Sequence, residues 1–119
     1  MTQHVLRFEP FDAAYTVALG SQARDAALQS WGYSPDDDSA AGALYTCTMP
    51  SGVVGFVMAL PKRKNMALIN HEALHLVVGM LAHHGVPVGV ENQELLCHFQ
   101  DYAVRSIVAV CYPTRGRRK

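Results

Sequence analysis

Residues Asn65 to Gly85, NMALINHEALHLVVGMLAHHG, constrain this chain more than any other stretch. The segment is long and mostly apolar, ends on Gly85 and is followed by Pro87. That pattern predicts a single helix, stopped by a left-handed glycine and kept from continuing by the proline. Inside it stand His71, Glu72, Ala73, Leu74 and His75. Residues four apart on an α-helix differ by about 40° around its axis, so the two imidazoles point the same way, one turn apart. Such a pair can hold one metal ion. Glu72 lies about 100° from His71, where a carboxylate could reach a metal-bound water without itself being a ligand. The plain alternative is an amphipathic helix whose histidines are satisfied by hydrogen bonds. Against it, a carboxylate between two histidines is costly to bury among Leu, Val, Met and Ala unless something binds it.

The H-E-x-x-H spacing is that of zinc hydrolases, in which a catalytic ion takes three protein ligands and keeps a fourth position for water. A longer pattern, with Gly three residues after the second His and another His three beyond, is excluded because those positions hold Val78 and Leu81. The remaining candidates for the third ligand are Glu94, His98, His83 and His84. Glu94 leads, because it falls on the next predicted helix and two antiparallel helices joined by a turn can face each other. A first-turn carboxylate complementing a helix N-terminus is its plain alternative, and Glu91 is read as that. His98 stands one turn after Glu94 and is the preferred donor to the oxyanion formed in hydrolysis, with Tyr102 second; it could also replace Glu94 on the metal. His83 and His84 are read as helix-end histidines that favour the negative end of the dipole. An imidazole-plus-carboxylate donor set points to Zn²⁺.

At 119 residues the chain suits one domain with room for a sheet and three helices. The expected division is residues 1–112 as that domain and 113–119 as a basic, disordered tail. Zero net charge provides no overall field toward nucleic acid or anionic lipid, so neither is expected as a partner. Cys47, Cys97 and Cys111 are odd in number and scattered, which argues for a reducing compartment and a cytoplasmic location. The longest apolar run, Gly52 to Leu60, is too short to cross a bilayer, and MTQHVLRFEP lacks a signal pattern.

Ala13 to Leu19 reads as a strand that stops at Gly20, and Ser21 as the N-cap of a helix Gln22–Trp31, with Ala26, Leu28 and Trp31 on its buried side. Tyr33 to Gly42 reads as a loop in which Asp36, Asp37 and Asp38 form a solvated acidic turn. Ala43–Met49 and Val53–Leu60 read as a β-hairpin around Pro50-Ser51-Gly52, its second strand an edge near the cleft that could pair with an extended peptide. Glu91 to about Val110 reads as the last helix. The predicted class is α+β, a small antiparallel sheet with the H-E-x-x-H helix packed against the C-terminal one.

The hairpin, NHEALHLVVGMLAHHGVPV and the downstream Asn92-Gln93-Glu94-Leu95-Leu96-Cys97-His98-Phe99 resemble a family of small phage-encoded proteins described as zinc metallopeptidases. More broadly they look like gluzincins. The likeness covers roughly Val53 to Ile107. It implies a single-lobed zincin-like fold and peptide hydrolysis, with Zn²⁺ on His71, His75 and Glu94 and Glu72 as general base. It also implies a peptide or protein substrate and, for a phage product, the host cytoplasm. In that family the second helix looks like N-x-E-x-x-A-Y. Here Cys97 stands where a small residue is usual and His98 where Tyr is usual, which leaves His98 open between oxyanion donor and metal ligand. The rival expectation is a zinc-stabilised protein that binds a host or phage protein without turnover.

Overall fold

The computed structural model describes residues 2–33 and 43–113. The Asp36–Asp38 turn and the basic tail fall outside them. In chain order the elements are β1 (Thr2–Phe8), a 3₁₀ turn (Glu9–Phe11), β2 (Ala13–Leu19), α1 (Ser21–Ser30), β3 (Ala43–Thr48), β4 (Val54–Leu60), α2 (Met66–His83), a second 3₁₀ turn (Val90–Asn92) and α3 (Gln93–Cys111). The result is an α+β domain in three layers: α1 covers one face of a four-stranded sheet, and the α2–α3 pair covers the other.

The sheet runs β1-β2-β4-β3. Two of its ladders are antiparallel, but β2 and β4 pair in parallel, with Tyr15 opposite Phe56 and Leu19 opposite Leu60. The sheet is therefore mixed, and the expectation of an all-antiparallel one is corrected. The β3–β4 hairpin is present as expected, yet β4 is an interior strand and not an edge. Its sequence VGFVMAL is buried from Gly55 through Leu60. A strand covered on both faces needs this continuous apolar run, whereas an edge strand with one wet face would alternate. The edges are β1 and β3.

Each helix boundary has a local cause. Asn65 caps α2, its Oδ1 accepting from the Leu68 N–H at 2.8 Å. At the other end Gly85 takes φ 74°, and the N–H groups of Gly85 and Val86 donate back to the carbonyls of Ala82 and Leu81. These two bonds are a Schellman stop, which the glycine makes possible. For α1 the cap is Gly20 at φ 93°, not Ser21, which is the first helical residue. Its buried side is Ala23, Ala27 and Leu28, not Ala26. Trp31 closes α1 and lies across Gly55 of β4. The last helix starts at Gln93 because Glu91 belongs to the preceding 3₁₀ turn.

The main core joins Phe8, Tyr15, Phe56 and Met58 of the sheet to Ile69, Leu76 and Met80 of α2 and Ile107 of α3. Burying each of these side chains stabilises the fold by roughly 1.5–3 kcal/mol. Phe8 anchors an aromatic cluster, in edge contact with Phe99 and Tyr102 at centroid distances of 5.3 and 5.6 Å. All three cysteines are free, so the core and not a disulfide framework holds the chain together.

Tyr15 is buried, and its hydroxyl finds no well-formed hydrogen bond. Burial, reinforced by Tyr102 and only opposed by Ser106, raises its pKa well above the ordinary tyrosine value of 10.0. Raising the folded-state pKa of a phenol favours folding below the unfolded pKa and loses that advantage as pH rises beyond it. Thermal melts from pH 9 to pH 11 should therefore show falling stability, and Tyr15→Phe should flatten the fall. An equally steep decline in the variant would assign it to other groups.

Candidate active site

The central turns of α2 bring three of the predicted residues together. His71 and His75 face outward with ring centroids 4.9 Å apart and planes at 75°. Glu72 turns inward from the same rim. Its exposure is 4%, which makes it the sole buried charged residue among those described. Its Oε1 has no hydrogen-bond partner. A carboxylate oxygen taken out of water with nothing to accept from loses several kcal/mol of hydration.

The three residues line a groove of about 450 Å³ whose other walls are Ala43, Leu44 and Thr46 of β3 and Val78 and Gly79 of α2. The groove exists because β3 is the sheet edge next to α2. Gly79 forms part of the helix-side wall, and a Cβ there would stand 3.1 Å from the Phe56 ring below. The β3 residues could not be singled out from sequence. Nothing chemical marks Ala43, Leu44 or Thr46, and only the strand order places them beside His75.

The residues assigned to α3 do not join this group. Glu94 is 89% exposed and His98 73% exposed; they form an i,i+4 pair with 3.6 Å between His98 Nε2 and Glu94 Oε2. Neither lines the groove. Among the described residues no three His, Cys, Asp or Glu side chains are grouped closely enough to hold an ion. Tyr102, the second choice as oxyanion donor, has its ring against Phe8 in the core. His83 and His84 serve the end of α2. The His84 ring nitrogen Nδ1 lies 2.8 Å from the Met80 carbonyl, and the ring stacks on Phe11 at 4.2 Å and 10°. His83 meets the Phe56 ring edge-on at 6.5 Å.

The donor set fits a metal in part. Two imidazoles one turn apart and an unpartnered buried carboxylate beside them suit an ion with a water to be deprotonated. The third protein donor is not in place. No family model, curated protein or solved structure matches the chain. Among the described residues, no helix is long and apolar enough to cross a membrane.

Proposed function

We infer that the protein is a zinc-dependent hydrolase of peptide bonds, with His71 and His75 as metal ligands and Glu72 as general base. The observation that carries this reading is the buried Glu72 carboxylate with an unpartnered oxygen, set in a groove between two exposed imidazoles and the edge strand. The ion, when bound, would polarise a substrate carbonyl and acidify a water. Glu72 takes the proton from the attacking water and is held for that task by its rigid helix position. Glu94 and His98 of α3, which face solvent and lie outside the groove, would have to turn toward it to complete the ligand set and to stabilise the oxyanion. An extended peptide would lie along β3, which stands at an edge of the sheet; this role passes from β4 to its hairpin partner.

A second reading, a zinc-stabilised binding protein without turnover, rests on the Glu94–His98 pair, which offers two adjacent donors on α3. X-ray absorption of the zinc-loaded protein separates the two. Three protein ligands and one water support hydrolysis, whereas four protein ligands mark a closed site.

Protein purified without added metal is expected to contain one zinc per chain and to melt at lower temperature after chelation. A metal-free preparation whose melting is unchanged by zinc and by chelator would overturn both readings.

A further inference from the structure

We propose that when zinc is scarce two copies of this chain share one ion, each copy supplying His71 and His75, with the uncharged outer faces of their α2 helices in contact. The inference rests on the reading that zinc binds these two histidines, and it concerns how that site is regulated.

His71 and His75 stand near the middle of α2, both exposed, with ring centroids 4.9 Å apart. They are half of a donor set, since a structural zinc takes four protein ligands and a catalytic one three with a water. Among the described residues, no third His, Cys, Asp or Glu is grouped with them, and Glu94 and His98 pair with each other instead. A second copy carries the identical half. Two such pairs complete a tetrahedral site of four imidazoles without α3 having to turn.

The outer face of α2 suits that approach. The helix holds one charged residue, Glu72, and that one is buried. A helix face that meets only water normally carries charged and polar residues. Here Met66, Asn70, Leu74, Val78 and Ala82 recur at every fourth position and are all exposed, so they form one ridge along the helix. At 100° per residue Val78 lies about 20° from His71 around the axis, so the ridge and the imidazoles share the outward side. Ridges of this spacing interdigitate when two helices cross at about −50°. A two-fold axis passing through the histidine pairs sets that crossing beside Leu74, which is 43% exposed and meets its own counterpart there. Neutral imidazoles and apolar side chains meet without like-charge repulsion.

The face alone is too small to hold two copies together. At 18 residues α2 is about 27 Å long, and a strip about 10 Å wide covers on the order of 270 Å² per copy, against about 800 Å² per partner in stable complexes. Assembly should therefore depend on the shared ion. Four imidazoles also leave no position for water, so the shared state is closed to hydrolysis. At a full equivalent of zinc each chain takes its own ion and the pair separates.

The test is sedimentation of the full chain, stripped by chelator and titrated with zinc, with bound metal measured in parallel. The mass of two chains is expected to peak at half an equivalent of zinc, with one ion per two chains, and to fall back toward one chain as zinc passes a full equivalent. Leu74→Glu and Leu74→Lys should each bind zinc yet lower the two-chain share at half an equivalent on the order of tenfold, because like charges then face each other across the axis. Mixing the two variants should restore it, a result that a merely misfolded variant would not give. Bound zinc with the mass of one chain at every ratio overturns the sharing while leaving zinc on His71 and His75. A two-chain mass that persists in chelator also overturns it, as does a mixture of the two variants that stays single. A chain that binds no zinc at any ratio overturns the underlying reading and this proposal with it.

Discussion

Glu72→Gln is expected to retain one zinc per chain while peptide hydrolysis falls by on the order of 10²–10⁴. The amide matches the carboxylate in size, so packing against the groove wall survives. What it lacks is a site to receive a proton. His71→Ala should behave differently, losing metal and activity together, because one imidazole and a carboxylate on another helix hold zinc poorly. Metal content by mass spectrometry and turnover of a quenched peptide, measured side by side, separate the two roles. If Glu72→Gln emptied the site as thoroughly as His71→Ala, Glu72 would be a ligand and the general-base assignment would fall.

A second large effect is expected in the opposite layer. Adding a methyl in Gly55→Ala places Cβ 2.1 Å from Cζ2 and 2.3 Å from Cη2 of Trp31. An indole cannot bend, so either the ring leaves its seat or β4 shifts. Forcing such a contact costs about 1–3 kcal/mol. Trp31 is the chain's single tryptophan, so the fluorescence change reports it directly. Red-shifted emission with a lowered denaturation midpoint is the expected result. Unchanged emission at unchanged stability would show that the two groups do not touch.

How much of this was legible in the sequence follows from what each feature depends on. The limits of α2 could be read because its signals are local: Asn65 before the first turn, Gly85 and Pro87 after the last. The β3–β4 hairpin could be read for the same reason. The pairing of β2 with β4 could not, since it joins strands about 40 residues apart and leaves no mark at either one. The continuous burial of β4 was a clue to an interior strand, because Val54–Leu60 has no polar alternation. β1 was missed although Leu6 and Phe8 face the core while Val5 and Arg7 do not; His4 and Arg7 diluted the pattern. In the site, the i,i+4 histidines followed from helix geometry alone. Placement of Glu94 required the crossing of α2 and α3, a tertiary property, and its side chain faces solvent.

The parallel contact between β2 and β4 has a kinetic corollary. Its two strands meet only after the intervening α1 and β3 have been threaded out of the way, so the entropy of closing a long loop falls on a single ladder. Local hairpins β1–β2 and β3–β4 can zip early and wait. The docking of one preformed ribbon onto the other then sets the pace of folding, and substitutions along Tyr15 to Leu19 that weaken this docking should slow refolding more than they hasten unfolding.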